Sequence, residues 1–278
     1  MKFADINLKE LEWAHYYMQV GMYLSGFKKI SNAILVYSDI IDDYYWNYAT
    51  MIDINDKKSL TTLNKVLEDI ENFYISMNRN PACYITPQTN PHELPTILNE
   101  REYKLAFSDA WMMFKSRKIN NKRIRNKDLV IKTVKNLEDL GTFIKVFEIS
   151  FGDSSEEDPY SGLPPSYKKA IYNSFTNEEY QKEKTVTHYL GILDDKPVGI
   201  TTLITYKKFG GIYNVGVIPE YRKQGIGSTL SLKAVKDALE KFNEDIVFLQ
   251  TEYGSYVEKF YKKLGFETVF RGDCYVKS

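Results

Sequence analysis

Apolar residues change their spacing several times along this chain, and each change marks an element. From Leu8 to Phe27, LKELEWAHYYMQVGMYLSGF has helical periodicity. The runs NAILVYS and DYYWNYATMI read as strands. They are followed by a helical segment Leu60 to Ser76, the strand ACYITP, a short helix beginning near Pro91 and a long strand EYKLAFSDAWMMF. Further along, helices are predicted over Leu137 to Phe151 and Pro165 to Phe175. An apolar strand ends at Pro219, a helix runs from about Ser228 to Phe242, and IVFLQT is a short strand. SYVEKFYKKLG then gives a helix ending at Gly265, with a strand begun by Phe266. The order strand, helix, strand, helix, strand occurs in both halves, which reads as a diverged internal duplication.

The halves are separated by SRKINNKRIRNKD, residues 116–128, a polar, asparagine-rich and basic stretch that predicts a linker between domains at 1–115 and 129–278. The chain has 278 residues, 43% hydrophobic and 27% charged, enough for two globular cores. A formal net charge of zero argues against a general nucleic-acid binder. No apolar run approaches the roughly 20 residues of a membrane span, and MKFADINLKE lacks a signal-peptide core, so a cytoplasmic protein is expected. Cys83 and Cys274 are expected as buried reduced thiols. His15, His92 and His188 have no ligand spacing, so no metal is expected.

Candidate chemistry concentrates in NVGVIPEYRKQGIGSTLSLKAV, Asn214 to Val235. Backbone N–H groups from Lys223 to Ser228 precede or open a helix, where the helix dipole also favours an anion. Gly225 and Gly227 let the backbone approach a ligand closely. The strand residues Val215 to Val217 can offer main-chain groups to an extended ligand arm. A pyrophosphate with a long amide tail, such as coenzyme A, suits this layout. The absence of GKS or GKT excludes a P-loop, and a full GxGxxG with its acidic partner is missing.

Arg222, Lys223, Gln224, Gly225, Ile226, Gly227 resembles the acyl-CoA signature of the GCN5-related N-acetyltransferases, GNAT: Arg or Gln, two residues, Gly, one residue, Gly or Ala. FYKKLGF is similar to the family's second fingerprint, and the likeness covers about Asp128 to Ser278. The resemblance implies an α/β (α+β) fold of two GNAT-like domains, each a mixed, mostly antiparallel twisted sheet flanked by helices. It implies acetyl-CoA as acyl donor, held by Val215, Val217 and Arg222 through Ser228, and places Tyr261 near the thioester sulfur. A phenol there can donate to the departing thiolate as general acid.

The sequence departs from the family where the base should be. The Glu expected on the strand before the loop falls at or near Gly211, and the frequent Asn seven residues before the Tyr is Gly254. Glu252, or Tyr213 and Asn214 as water-positioning groups, are the candidate substitutes. The acidic loop with Asp153, Glu156, Glu157 and Asp158, stiffened by Pro164 and Pro165, falls where family members commonly cover the acceptor. The basic linker is either a solvated connector or a segment reaching toward the coenzyme's ribose phosphate.

The first half has INDKKSL where the second has RKQGIG, and Leu98 stands opposite Tyr261. It therefore resembles a degenerate acetyltransferase domain that has lost the coenzyme. Tyr44, Tyr45, Trp46 and Tyr48 there are expected in the core or a domain interface. The expected activity is transfer of acetyl from acetyl-CoA to a primary amine of a small molecule or peptide, by direct attack in a ternary complex. The alternatives are a non-catalytic acyl-CoA-binding regulator, or a protein acetyltransferase recruiting its target through the first half. A homodimer is compatible with the sequence.

Overall fold

The computed structural model describes residues 6–54, 60–116, 118–119, 125–152 and 165–277. The elements run α1 (Leu8–Gln19), β1 (Gly26–Ile30), β2 (Ala33–Tyr37), β3 (Tyr48–Thr50), α2 (Leu60–Ser76), β4 (Ala82–Ile85), α3 (Leu94–Glu100), β5 (Tyr103–Phe114) and β6 (Val130–Thr133). They continue α4 (Leu137–Phe151), α5 (Pro165–Thr176), β7 (Thr185–Leu193), β8 (Lys196–Tyr206), β9 (Phe209–Val217), α6 (Ile226–Lys236), β10 (Ile246–Glu252), α7 (Tyr256–Leu264) and β11 (Phe266–Lys277). The chain forms two compact units, one of residues 1–111, 250–258 and 268–278, the other of residues 112–249 and 259–267.

In the first unit the strand order is β1-β2-β3-β4-β11-β5, so the C-terminal strand lies inside the sheet. β11 runs antiparallel to β4, with Cys274 opposite Tyr84 and Tyr275 opposite Cys83. Both cysteines are buried free thiols on these neighbouring strands. The helical spacing of α2 puts Leu63, Val66, Leu67, Ile70 and Tyr74 into one core with Leu35, Ala49 and Cys83. The Tyr74 hydroxyl donates to the Val36 carbonyl at 2.9 Å.

Two expected elements are shorter than the apolar pattern suggests. The helix that starts at Leu8 is capped by Asn7 and ends at Gln19, where the Gln19 carbonyl collects the N–H groups of Met22, Tyr23 and Leu24 and Gly21 turns left-handed at φ +88°. DYYWNYATMI contains a 3₁₀ turn, Tyr44–Trp46, before the three residues of β3. Asp43 accepts from the Tyr45 N–H and Asn47 donates to the Ile41 and Asp43 carbonyls, side-chain bonds that offer the backbone an alternative to a ladder.

In the second unit the order is β10-β9-β8-β7-β6, antiparallel except for β10 beside β9. The pairing β7-β8-β9-β10 repeats that of β1-β2-β3-β4, with the last pair parallel in both units. Each unit is thus a mixed, mostly antiparallel sheet flanked by helices. Side chains alternate across a strand, so the neighbours of its glycines identify the faces. A Cβ on Gly199 would meet Ile226 Cγ2 at 2.8 Å and Leu230 Cδ1 at 2.9 Å, and one on Gly216 would meet Ser150 Cβ at 2.9 Å. Gly199 is opposite Val217, one residue on from Gly216. α6 and α4 therefore cover opposite faces, each brought close by a missing side chain. The helix expected from Ser228 to Phe242 starts at Ile226 and finishes in a π-helical turn, Asp237–Lys241. Among the described residues no helix is long and apolar enough to cross a membrane.

Candidate functional site

The turn after β9 is built by its own arginine. Arg222 Nε donates to the Val217 carbonyl at 3.2 Å, Nη2 donates to the Ser150 carbonyl at 2.9 Å, and its backbone N–H closes the turn on Pro219. Two of the guanidinium's donors thus tie β9 to the end of α4. What the turn presents to a ligand is backbone. Lys223 and Gly225 are left-handed, at φ +63° and +80°. Gly225 supplies no side-chain cap, and the first helical bond joins the Thr229 N–H to the Gly225 carbonyl at 3.0 Å. Among the described residues, the N–H groups from Lys223 to Ser228 make no hydrogen bond. An unfilled run of donors with two left-handed residues, opening an α-helix, is an anion cradle.

Val215 and Val217 lie on β9, whose pairing with β10 extends only over Phe209–Gly211 against Ile246–Phe248. Beyond Gly211 no β9 residue pairs with β10 among the described residues, which leaves Val215 and Val217 outside any ladder on that side. The register with β8 shifts between Ile200 and Thr202, and Asn214 adopts φ +54°, a bulge of the kind that bends a strand. In the first unit the comparable gap is filled: Ile54 N–H donates to Asn90 O and Asn90 N–H to Ile52 O, both at 2.9 Å. Its INDKKSL segment falls largely outside the described residues.

The two sequence motifs meet at one glycine. A Cβ on Gly227 would lie 3.6 Å from Val217 Cγ2 and 3.7 Å from Phe260 Cζ, so the helix carrying Tyr261 packs beside the opening of α6. Tyr261 is buried, with the Phe260 and Phe266 rings edge-on at 4.9 and 5.6 Å. Burial raises its pKa, and the nearby Ser231 hydroxyl of α6 partly opposes that shift. Among the described residues no completed hydrogen bond joins them, and Ser231 Oγ is a buried polar atom without a partner. Ser231 lies outside both sequence motifs, and Phe260 opens the second one. Ser231 is one helical turn beyond Gly227, a spacing that could have revealed it.

The missing base position is covered from two residues away. A Cβ on Gly211 would fall 2.5 Å from the Tyr213 hydroxyl, so the phenol occupies the space of any residue 211 side chain. Gly210 faces Ala238 beyond α6, which puts Gly211 and this hydroxyl on the α4 face. Asn214 Nδ2 donates to Thr202 Oγ1 at 3.2 Å. Thr202 is 2.8 Å from His188 Nδ1, and Ser174 Oγ on α5 is 3.4 Å from His188 Nε2. Burial pushes the His188 pKa down to about 3, so this ring is neutral at ordinary pH. The chain of polar groups ties the bulge to α5.

Glu252 ends β10 and belongs to the first unit, where its carboxylate is exposed and its carbonyl accepts from Ser255 Oγ at 2.8 Å. Asp109 in that unit is pushed up to about 7, chiefly by burial, with Asp273 and Glu252 adding to the rise. Gly254, where the family favours Asn, is left-handed at φ +79°. Its N–H is taken by Glu258 Oε2, while Ser255 Oγ accepts from the Glu258 N–H, a reciprocal cap that starts α7. Asp153, Glu156, Glu157, Asp158 and Pro164 lie outside the described residues, and Pro165 opens α5.

Unfilled N–H donors, an open strand edge and the unpartnered Ser231 hydroxyl together fit an elongated ligand carrying phosphates at one end and amides along its arm. Residues 152–266 match the model of the Acetyltransferase (GNAT) family. No curated protein matches the sequence significantly. Among solved structures, a GCN5-related N-acetyltransferase from Kribbella flavida is similar at TM-score 0.69 and 14% identity, covering 96% of this chain and 94% of its own. A functionally unknown conserved protein from Staphylococcus epidermidis ATCC 12228 is similar at TM-score 0.67 and 16% identity, covering 99% of both chains. A tandem GNAT protein from the clavulanic acid biosynthesis pathway is similar at TM-score 0.61 and 10% identity, over 88% of this chain and 77% of that one. At these identities the likeness is one of fold, and it includes the N-terminal region. The family suggests acyl transfer from an acyl-CoA. Residues 152–266, which carry the cradle, α6 and Tyr261, are a GNAT-family segment within a chain that has the GNAT fold.

Proposed function

We propose that the protein is an N-acyltransferase that moves acetyl from acetyl-CoA to a primary amine by direct attack in a ternary complex. The observation that carries this reading is the unbonded N–H run from Lys223 to Ser228 beside the open edge of β9, in the segment that matches the family. Bound acetyl-CoA would supply a thioester, at which the amine forms a C–N bond while C–S breaks and the electron pair leaves on sulfur. The residues of the second unit divide the remaining work. Lys223 to Ser228 hold the diphosphate through backbone donors, and Val215 and Val217 align the amide arm. Tyr261 holds a proton for the leaving thiolate.

Proton removal from the amine is the harder side. An alkyl ammonium with pKa about 10.4 lies several units above neutrality. No carboxylate stands at residue 211, where the Tyr213 hydroxyl takes the space and can orient a water. An amine of low pKa, or proton loss through water, fits this arrangement. In this reading the first unit is a degenerate domain without a coenzyme site, its strand gap filled by Asn90.

Thiol release from acetyl-CoA, measured against polyamines, aminoglycosides, small amines and peptides, tests the activity. We expect saturable release with at least one acceptor. Tight acetyl-CoA binding with no release across the panel would favour a non-catalytic acyl-CoA-binding regulator, the reading that the glycine at 211 supports.

Gly225→Ala tests the cradle itself. A Cβ there would fall 2.6 Å from Arg125 Cβ, on a residue already at φ +80°. We expect a stability loss of about 1–2 kcal/mol and at least a tenfold weaker Kd for coenzyme A. Calorimetry that finds native affinity in this variant would remove the turn from the site.

A further inference from the structure

The segment leading into β6 is fastened to the anion cradle. Asn126 N–H donates to Thr229 Oγ1 at 3.3 Å, Thr229 Oγ1 is 3.4 Å from the Asn126 carbonyl, and Asn126 Nδ2 donates to the Gln224 carbonyl at 3.2 Å. Asn126 Oδ1 accepts from the Asp128 and Leu129 N–H groups at 3.2 and 3.0 Å. Asn126 thus ties this stretch to the first turn of α6 through its N–H and Nδ2, and shapes its own segment through Oδ1. The consequence falls on its neighbour. Arg125 is set against Gly225, its Cβ 2.6 Å from where a side chain on Gly225 would begin. Gly225 is required here as much for Arg125 as for its own left-handed backbone.

Arg125 is exposed, and among the described residues it makes no hydrogen bond and no ion pair. An arginine whose Cβ is held beside a helix N-terminus and unfilled N–H donors carries its charge into a field that disfavours a cation. Lys223 and Lys127, both exposed, add charge of the same sign nearby in sequence. That placement is unfavourable without an anion, and it holds one more cation than a diphosphate bound by main-chain donors needs. Coenzyme A carries a second anionic group, the dianionic monoester on its ribose. Guanidinium is the side chain best matched to phosphate, through two parallel N–H donors.

We propose that Arg125 recognises the ribose 3′-phosphate and makes the site selective for coenzyme A over its 3′-dephospho form. This rests on the reading of the turn as an acyl-CoA site. Asn126 is the positioning residue, acting only by holding Arg125 in place.

The test is calorimetric binding of coenzyme A and 3′-dephospho-coenzyme A to the full chain. The native protein should bind coenzyme A about tenfold more tightly, the range of one exposed charge-assisted contact. Arg125→Ala should bring coenzyme A to the affinity of the dephospho form and leave the dephospho affinity unchanged. Arg125→Lys should recover part of the difference, and Asn126→Ala should lose most of it. Because Arg125 is exposed, its variants should keep the native melting temperature. Equal binding of the two ligands by the native chain, or a preference that survives Arg125→Ala, overturns this assignment and leaves the acyl-CoA reading intact. Failure of both ligands to bind overturns that reading and the assignment together.

Discussion

Deleting residues 268–278 is expected to abolish the cooperative folding of the first unit. In sequence this is a short tail after α7, but in the fold it is an interior strand, with β4 on one side and β5 on the other. Asp273 to Val276 pair with Ile85 to Ala82, and Lys277 N–H donates to the Pro81 carbonyl. Ser108 Oγ donates to Asp273 Oδ1 at 2.6 Å, and the Arg271 guanidinium reaches both Ser108 and Asp273. Phe270 stacks on the fully buried Trp111 at 4.9 Å, and Cys274 has no exposed surface. Losing one buried aromatic costs about 3–5 kcal/mol. The deletion removes that contact together with a ladder, opens two strand edges and uncovers Trp111, against a total stability of about 5–15 kcal/mol for an ordinary domain. Circular dichroism and thermal unfolding of the shortened chain are the measurements. We expect loss of soluble protein or of one unfolding transition. A soluble chain melting within a few degrees of native would show that β11 is dispensable. A fragment of residues 1–114 lacks the same strand, so pull-downs seeking a macromolecular target should use the full chain.

Local elements were readable from this sequence wherever a single period runs long enough. α2 begins and ends where its apolar spacing predicts, at Leu60 and Ser76, and β5, α4 and α7 follow their patterns closely. The repeated order of strands and helices is present, and so is the repeated pairing. What periodicity does not carry is which strands become neighbours. β11 has an ordinary alternating pattern, and nothing in it distinguishes the preceding strand β10 as a partner from β4, far earlier in the chain. Side-chain competition with the backbone was also hidden. Asp43 and Asn47 convert half of an aromatic run into a 3₁₀ turn, an outcome set by two polar residues within an apolar-looking segment.

The candidate site was legible for a different reason. Gly225, Gly227 and the helix start are local, and backbone donors depend little on distant packing. The side chains were harder to assign. Arg222 looks like a phosphate ligand by its place in the motif, yet its Nε and Nη2 donate to the Val217 and Ser150 carbonyls, the latter contributed by α4. The hydroxyl of Tyr213 lies over Gly211 because alternation returns it to the same face, and the glycine leaves it room. Both results follow from elements packed on β9, which the spacing of its own residues does not name.

The largest effect on activity is expected from Tyr261→Phe, which should lower kcat by about a hundredfold or more while the Kd for coenzyme A stays near native. The split follows from where each interaction resides. In the proposed function, affinity comes from the N–H groups of Lys223 to Ser228 and the edge of β9 at Val215 and Val217, none of which the substitution touches. Among the described residues the phenol has no completed hydrogen bond, so in the proposed function its removal takes away only what it does when charge develops on sulfur. For the same reason the variant should keep its fold, with the ring still edge-on to Phe260 and Phe266. Burial pushes the Tyr261 pKa above the ordinary phenol value of about 10, so the proton is present throughout the usable pH range. The sign follows directly. Deprotonation of Tyr261 should impose no fall in kcat between about pH 6 and 9, and any rise there belongs to the amine losing its proton. Rates with acetyl-CoA across that range, for native and variant, separate the two. A variant with native kcat would make Tyr261 a packing residue and leave the leaving thiolate to solvent. A large loss confined to KM would place the hydroxyl in binding and remove it from the chemical step.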